Sequence, residues 1–171
     1  MIIRAARADD VNALTSLYND LGVATTASYD LHPVTADDRR AWLDDHAAHG
    51  WPVLVADDGG QVVGYAAYGA FRPKAGYGFT VEHTVYVAAA RQGEHIGTAL
   101  MAELMGVARS HHLHAMVGVV DAENTASAGF HERLGFKVVG TLPQVGRKFG
   151  RWLDVEFLVL LLDESPVTPT P

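Results

Sequence analysis

The segment VAAARQGEHIGTAL, residues 87–100, combines residue types that can hold a phosphate group. An apolar strand leads into an Arg-Gln-Gly turn, and a helix follows. The first turn of a helix offers unpaired backbone N–H groups, and a pyrophosphate needs several such donors with little side-chain bulk. Gly93 and Gly97 permit close approach and Arg91 adds charge, but His95 stands where glycine is expected. Taken alone, the segment fits an ordinary strand-to-helix turn better than a phosphate site.

The hydrophobic pattern places this loop between regular elements. Apolar, β-rich runs indicate seven strands: MIIRAA, WPVLVA, QVVGYAAYG, FTVEHTVYV, AMVGVV, FKVVGTL and WLDVEFLVLLL. Helices are predicted after an N-cap at Asp9, after a capping box formed by Thr35 and Asp38, near Gly97, and within NTASAGFHERLG. The DDGG between the second and third strands is typical of a hairpin.

The order of elements is strand, two helices, three strands, helix, strand, helix and two strands. This order predicts an α/β (α+β) fold, a single domain in which helices flank a mixed, largely antiparallel sheet. The domain is predicted to span residues 1–162. The tail, residues 163–171 (DESPVTPTP), lacks core residues and is predicted to be disordered. Residues 22–33 are rich in small and hydroxyl side chains and are predicted to form a loop.

Composition excludes several classes of function. A hydrophobic fraction of 49% and a charged fraction of 19% are typical of a globular protein, and the formal net charge of −7 argues against nucleic-acid binding. The chain has no cysteine, which rules out disulfides, thiolate metal sites and cysteine nucleophiles. No HExxH or comparable spacing occurs, so no metal is expected. With no signal-peptide pattern and no apolar run of membrane-spanning length, a cytoplasmic location is predicted and no membrane partner is expected.

Two motifs read together resemble the GCN5-related N-acetyltransferase (GNAT) superfamily. The loop matches that family's pattern at Gln92 and Gly97, with His95 in place of the first glycine. Residues 124–136, NTASAGFHERLGF, match Asn-x-x-Ser followed by a helix and Leu-Gly-Phe. TVEHTVYV, HERLGF and GRKFGRWLDVEF further resemble the phosphinothricin and methionine sulfoximine N-acetyltransferases. The resemblance covers nearly the whole chain, from IRAARADD to about Leu162.

The resemblance implies acetyl-CoA as co-substrate, with its pyrophosphate held in the loop. Backbone groups of the strand before the loop would pair with the pantetheine arm, and one N–H would stabilise the developing oxyanion. The expected cofactor contacts are Val85, Tyr86, Val87, Gln92, Gly93, Glu94, His95, Ile96, Gly97, Thr98, Asn124 and Ser127. Simple burial of the strand residues and a capping role for Asn124 are the alternatives.

The resemblance also implies two catalytic residues, Glu82 and His131. Glu82 occupies the position of the proposed general base, where a carboxylate can take the proton of an ammonium group directly or through water. Strand alternation alone sends Glu82 outward, with Thr80 and Thr84, so its alternative is a surface glutamate. His131 matches the histidine of the HE-x-LG segment and can carry a proton near neutral pH. Its alternative is a helix histidine packed beside the cofactor.

Basic residues near the catalytic strand predict an anionic acceptor. The candidate substrate-binding residues are Arg72, Lys74, Tyr77 and Lys148. Arg147 and Arg151 add to the second basic cluster, and the early loop could close over the acceptor with Thr26, Ser28 and Tyr29. Solvated loop charges are the alternative for each basic residue taken singly.

The sequence therefore predicts an acetyl-CoA-dependent N-acetyltransferase for the α-amine of a small amino-acid-like substrate of the phosphinothricin or methionine sulfoximine type. Without cysteine to form an acyl-enzyme, direct transfer is expected. Family resemblance further predicts a homodimer. The alternatives are an N-acetyltransferase for another amine, such as a polyamine or a protein N-terminus, and a non-catalytic acyl-CoA-binding sensor. A polyamine site should be lined by acids rather than by arginine and lysine.

Overall fold

The computed structural model describes residues 1–163 of the chain. The strands are β1 (Ile2–Ala5), β2 (Val53–Asp58), β3 (Gln61–Ala70), β4 (Thr80–Val87), β5 (Ala115–Asp121), β6 (Lys137–Lys148) and β7 (Arg151–Leu161). The α-helices are α1 (Val11–Tyr18), α2 (Ala36–His49), α3 (Ile96–Ser110) and α4 (Thr125–Arg133). Apart from Asp163, the predicted disordered tail lies outside the described residues. None of the helices in this range is long and apolar enough to cross a membrane.

All seven strands form one sheet, in the order β1-β2-β3-β4-β5-β7-β6. Every neighbouring pair is antiparallel except β4 and β5, which are parallel. The parallel pairing is short, because Thr80–Glu82 pairs with Ala115–Val117 and the two strands then separate. The predicted fold class and order of elements are confirmed, and the separation of β4 from β5 opens a gap in the middle of the sheet.

Two apolar clusters fix the sheet between its helices. Helix α3 buries Leu100 and Leu104 completely against one face, in a cluster that also contains Val81. Helix α1 packs Leu14 against the other face, beside the ring of Tyr65. Truncating a buried leucine costs about 2–5 kcal/mol, so these contacts hold β3 and β4 firmly. The strand that carries Glu82 is therefore packed from both sides.

Helix α2 begins and ends as the sequence predicts. The Thr35 hydroxyl accepts a hydrogen bond from the Asp38 N–H (3.1 Å), and the Asp38 carboxylate accepts one from the Thr35 N–H (2.8 Å). Gly50 ends the helix with a φ of 69°, a left-handed conformation that favours glycine.

The predicted N-cap at Asp9 is wrong. A 3₁₀ turn, Ala8–Asp10, precedes α1, and Asp10 takes over the local contacts. Its carboxylate accepts a hydrogen bond from the Arg7 N–H (2.7 Å) and pairs with the Arg4 guanidinium (2.7 Å). The pair ties the start of α1 to β1, and the neighbouring Arg4 holds the pKa of the Asp10 carboxyl below its usual range.

Candidate active site

The gap between β4 and β5 contains a cavity of about 70 Å³, called here the strand-gap cavity. It is lined by Ala27, His83, Thr84, Val85, Tyr86, Gly118, Val119, Val120, Asp121, Asn124, Ser127 and His131. Residues from β4, β5, α4 and the loop before α2 thus meet at one point. The predicted catalytic His131 and the predicted cofactor residues Asn124 and Ser127 are brought together there.

The backbone of β4 faces this gap at alternate residues. The Ala88 N–H donates to the Val63 carbonyl of the β3 segment (2.8 Å), so even-numbered residues of β4 face β3. Because the direction of N–H groups alternates along a strand, Val85 and Val87 direct their backbone groups into the gap. An extended ligand can pair with such an open edge.

The backbone of Tyr86 does not face the gap, contrary to the prediction. Its peptide group points towards β3, and its ring is buried against Tyr65, with ring centroids 5.4 Å apart. The Tyr86 hydroxyl donates to the Ala27 carbonyl (3.3 Å). Tyr86 therefore lines the strand-gap cavity as a packing residue that also supports the loop before α2.

The loop between β4 and α3 has the backbone shape of an anion site. Gly93 has a φ of 86° and His95, the N-cap of α3, a φ of 61°. A left-handed conformation costs a residue other than glycine roughly 1–2 kcal/mol. The sequence departs from the family pattern at a position that glycine would occupy without strain. No side chain of residues 1–163 caps α3, so the N–H groups of Ile96, Gly97 and Thr98 are available to a ligand.

Arg91 and Glu94 neutralise each other in this loop. The Arg91 guanidinium pairs with Glu94 (2.9 Å) and with Asp58 at the end of β2 (2.9 Å). The positive charge expected from Arg91 is therefore already balanced by two carboxylates. A phosphate group in this loop would therefore depend on backbone N–H groups rather than on this side chain.

Gly97 packs closely against side chains inside the protein, and its lack of a side chain also leaves room for a ligand outside. A Cβ atom at this position would lie 3.3 Å from the Phe130 ring and 3.6 Å from Val87. The Ile96 side chain is buried in the core, so only its backbone can serve a ligand. Gln92 and Thr98 are exposed at the loop surface, where their side chains can reach a bound group.

Asn124 has the capping role that was its alternative interpretation. Its side-chain oxygen accepts a hydrogen bond from the Ser127 N–H (3.0 Å) and caps α4. The amide NH₂ makes no hydrogen bond to any residue in the range 1–163, and Asn124 lines the strand-gap cavity. The cap thus orients a free donor towards the cavity, so both interpretations are compatible.

His131 lies at the bottom of the strand-gap cavity with a partner that the sequence analysis missed. Its Nε2 atom is 2.9 Å from Nε2 of His83, and both rings are buried. The His131 Nδ1–H donates to the Ser127 carbonyl (2.7 Å) and the His83 Nδ1–H to the Val117 carbonyl (2.9 Å). The available signal was that His83 interrupts the apolar face of β4 between Val81 and Val85.

These contacts determine the protonation of the histidine pair. A carbonyl oxygen only accepts, so both Nδ1 atoms carry hydrogen and the two Nε2 atoms face each other as acceptors. A hydrogen bond between them requires one additional proton. Burial lowers the pKa of His83 to about 3 and lowers the pKa of His131 as well. At neutral pH the resting pair is neutral, and any proton that it takes up is released easily.

Glu82 faces a cleft rather than open solvent. It lines two cavities that meet at Trp42, one of about 470 Å³ that reaches Arg39 and one of about 410 Å³ that reaches Arg72. These are called here the Arg39 cavity and the Arg72 cavity. Burial raises the pKa of the Glu82 carboxyl, and the Arg72 guanidinium, 3.6 Å from its Oε2, opposes that rise. A carboxylate with a raised pKa is a better proton acceptor.

Lys148 cannot bind the acceptor as predicted, because its ammonium group faces into the protein. The side chain is only 4% exposed, and Nζ donates to the carbonyls of Gly22 (3.3 Å), Thr25 (2.6 Å) and Ser28 (2.6 Å). All three ammonium donors are occupied by one loop. Lys148 therefore holds the loop before α2 against β6.

The other predicted substrate residues divide into two groups. Arg72 lines a cavity together with Glu82, whereas Lys74 and Tyr77 line none of the three cavities described here. Arg147 lies over the Trp152 ring (5.5 Å) and Arg151 pairs with Glu123 (2.6 Å), and neither lines one of the three cavities. Of the early-loop residues, Ser28 and Tyr29 line the Arg39 cavity and Thr26 does not.

Comparison with known proteins agrees with this geometry. Residues 3–156 match the family model described as an acetyltransferase (GNAT) domain. The chain belongs to the GNAT acetyltransferase family. This confirms the family resemblance, the prediction of an N-acetyltransferase and the requirement for acetyl-CoA as co-substrate.

Individual relatives cover nearly the whole chain. The L-methionine sulfoximine/L-methionine sulfone acetyltransferase of Pseudomonas aeruginosa is 45% identical over 98% of both chains. The phosphinothricin N-acetyltransferase of Streptomyces coelicolor is 39% identical over 90% of this chain and 91% of its own. The yncA protein of Salmonella typhimurium, solved with its cofactor acetyl-CoA, has a TM-score of 0.94 at 42% identity, covering 100% of this chain and 97% of that one. The GNAT domain thus resembles enzymes for small amino-acid-like acceptors.

Proposed function

We propose that this GNAT protein acetylates the α-amine of a small amino-acid-like acceptor of the methionine sulfone, methionine sulfoximine or phosphinothricin type. The observation that carries the proposal is the position of Glu82 on β4, where it lines both acceptor-sized cavities and stands two residues before Thr84. Thr84 lines all three cavities, which makes them adjacent. An amine in the cleft would lie beside a base on one side and a thioester on the other.

Glu82 begins the reaction as the general base. Its carboxylate takes a proton from the acceptor's ammonium group, and the neutral nitrogen then forms a bond to the thioester carbonyl carbon. Negative charge then develops on the carbonyl oxygen. The N–H of Val85 or Val87, which faces the gap, donates a hydrogen bond to that oxygen. As the C–S bond breaks, the acetyl group stays on nitrogen and the electron pair leaves with sulfur. With no cysteine in the chain, the transfer is direct.

The histidine pair handles the second proton. The nitrogen of the tetrahedral intermediate must lose a proton, and the thiolate of coenzyme A must gain one. His131 and His83 can take up that proton at their facing Nε2 atoms and release it to sulfur. Their lowered pKa values favour the release. His131 thus retains its predicted proton-transfer role, with His83 as partner.

Arg72 is the proposed partner of the acceptor's α-carboxylate. Its guanidinium lies 3.6 Å from Glu82, and the carboxylate of an α-amino acid is one carbon away from the amine-bearing carbon. Charge-assisted hydrogen bonds of this kind contribute roughly 1.5–3 kcal/mol. Of the four substrate-binding residues predicted from the sequence, Arg72 is the one that this proposal retains.

Homodimer formation and a cytoplasmic location stay predictions. Support for the dimer comes from exposed apolar side chains on β6, β7 and the turn between them. Val139, Val145, Phe149 and Trp152 are each about 60% exposed. Large apolar side chains that are exposed close to one another often mark interaction sites, and these four belong to two paired strands and the turn that joins them. Sedimentation of the purified protein would measure the oligomeric state.

A panel of amines tests the proposed acceptor. The release of coenzyme A thiol is measured with methionine sulfone, methionine sulfoximine, phosphinothricin, a polyamine and a peptide with a free N-terminus. The proposal expects one or more of the amino acids to have the highest kcat/KM. Preference for the polyamine or the peptide would replace it with the corresponding alternative. Binding of acetyl-CoA without transfer to any amine would favour the sensor.

A further inference from the structure

Three buried donors in one cavity lack a partner. Among the side chains of residues 1–163, the buried polar atoms without a hydrogen-bond partner are Tyr29 Oη, Arg39 Nε and Tyr65 Oη. All three residues line the Arg39 cavity, which also borders Glu82. Buried polar atoms are normally paired, so three such atoms around one cavity require an explanation. Each can donate a hydrogen bond, so an acceptor group placed in the cavity would satisfy them.

Aromatic packing leaves only the edge of the Arg39 guanidinium free. Its central carbon lies 4.1 Å from the centroid of the Tyr18 ring and 4.6 Å from that of Trp42. Stacking covers the faces of the planar group, whereas its N–H donors point outward in its plane. The side chain is 5% exposed, so this orientation is fixed by packing. A ligand atom in the plane of the guanidinium can receive two donors at once.

The carboxylates nearest in the cavity lining are already engaged elsewhere. Asp38 caps α2 by accepting hydrogen bonds from Thr35. Asp30 accepts a hydrogen bond from the Tyr18 hydroxyl (2.5 Å). Neither forms an ion pair with Arg39, and no other carboxylate of residues 1–162 does so. The buried cationic group therefore has no balancing negative charge from the described part of the chain.

We propose that Arg39, Tyr65 and Tyr29 form a subsite for the oxygen-bearing end of the acceptor's side chain. This inference rests on the proposed function. The subsite suits a group whose oxygen atoms accept hydrogen bonds, such as a sulfone, sulfoximine or phosphinate. The aromatic rings of Tyr18 and Trp42 line the same cavity and suit the methylene groups between that end and the α-carbon.

The α-carboxylate fits this subsite less well than the side-chain end. The amine must lie at Glu82, and the guanidinium close to Glu82 is that of Arg72. Arg39 comes from α2, lies within the aromatic part of the cavity and makes no ion pair with Glu82. The acceptor would therefore lie with its carboxylate towards Arg72 and its side chain towards Arg39. Arg39 was missed from the sequence because it stands in the charged run ADDRRAW, which resembles a solvated helix face.

Methionine sulfone and methionine form a matched pair of probes, because they differ only in the two sulfone oxygens. In Arg39→Met, the ratio of kcat/KM for the sulfone to that for methionine should fall about ten- to a hundred-fold, the range expected for a charge-assisted hydrogen bond. Tyr65→Phe should lower the same ratio about three- to ten-fold, as expected for a neutral hydrogen bond. Arg40→Met, at the next and exposed position of α2, is the control and should leave the ratio unchanged.

The outcomes separate this inference from the proposed function. An unchanged ratio of the two kcat/KM values in both Arg39→Met and Tyr65→Phe would overturn the subsite. An equal loss of kcat/KM for methionine sulfone and for methionine would also overturn it, because the group bound would then be common to both substrates. If Arg39→Met fails to fold, Tyr65→Phe decides the question because it removes only a hydroxyl. Calorimetric binding of methionine sulfone by the wild type and both variants gives an independent readout. Arg39-dependent binding without acetyl transfer would refute the proposed function and retain the subsite.

Discussion

Replacing Lys148 with methionine should destabilise the whole domain. The ammonium group donates to three carbonyls of the segment between α1 and α2, at Gly22, Thr25 and Ser28. Methionine keeps most of the length of the side chain but donates to none of them. The carbonyls of Thr25 and Ser28 then lose the ammonium donor, the Gly22 carbonyl keeps only its contacts with Thr25, and the loop that carries Ser28 is held less firmly against β6.

The expected size of the effect follows from these contacts. Hydrogen bonds to charged groups contribute roughly 1.5–3 kcal/mol each, so the three together give a gross value of about 4.5–9 kcal/mol. Burying an ammonium group costs several kcal/mol, and the net loss should be about 2–4 kcal/mol. In a domain of this size each kcal/mol lowers Tm by about 2–4 °C, so a fall of roughly 5–15 °C is expected. Thermal unfolding followed by circular dichroism measures it.

Lys74→Met is the matched control, because Lys74 is exposed and makes no hydrogen bond through its side chain among residues 1–163. Its Tm should stay within about a degree of the wild-type value, as expected for a surface substitution. A Lys148→Met variant with wild-type Tm and a raised KM for the amino acid would refute the structural role. It would restore Lys148 as a substrate-binding residue.

Two further predictions concern the cofactor loop and the histidine pair. In Gly97→Leu the new Cβ would lie 3.3 Å from the Phe130 ring and should displace it. The substitution should abolish the rise in Tm that acetyl-CoA causes in the wild type. An unaltered rise would show that the start of α3 does not hold the cofactor. For His83, burial lowers the folded pKa to about 3, so the unfolded chain binds the proton first as pH falls. The free energy of unfolding should therefore decrease below about pH 6.5 and decrease less steeply in His83→Gln, as urea titrations at several pH values would show. Stability that rises in acid would mean that the folded pair already holds its additional proton.

The fold could be predicted from the sequence because local rules govern much of it, whereas the cofactor contacts were predicted from the family resemblance. The hairpin at DDGG, the cap at Thr35 and the loop around Gly93 each depend on residues that are neighbours in the chain. The position of Glu82 required the family resemblance, since alternation along β4 specifies a face of the sheet but not the helices that turn that face into a cleft.

The acceptor side could not be predicted because it depends on contacts between distant segments. Lys148 is 120 residues or more away along the chain from the carbonyls that it binds. The sequence around a basic residue in a predicted loop does not indicate which distant groups it will contact. Arg39 shows the opposite error. It stands in a charged helical run, which predicts exposure to solvent, but it is buried because α2 packs Trp42 over the sheet. Lys74 and Tyr77 lie outside the lining of the cavities, and their acceptor contacts stay predictions.

The most direct test of the account is the pH dependence of kcat/KM for methionine sulfone in the wild type and in Glu82→Gln. If Glu82 deprotonates the acceptor amine, the substitution should lower kcat/KM by roughly 10²–10⁴-fold and remove the acidic limb of the profile. The wild-type limb should lie above the usual titration range of a glutamate, since burial raises the pKa of Glu82. The affinity for acetyl-CoA should stay unchanged, and Glu103→Gln, on the exposed side of α3, should behave as wild type. Wild-type turnover of Glu82→Gln at neutral pH would contradict the assignment of Glu82 as the base.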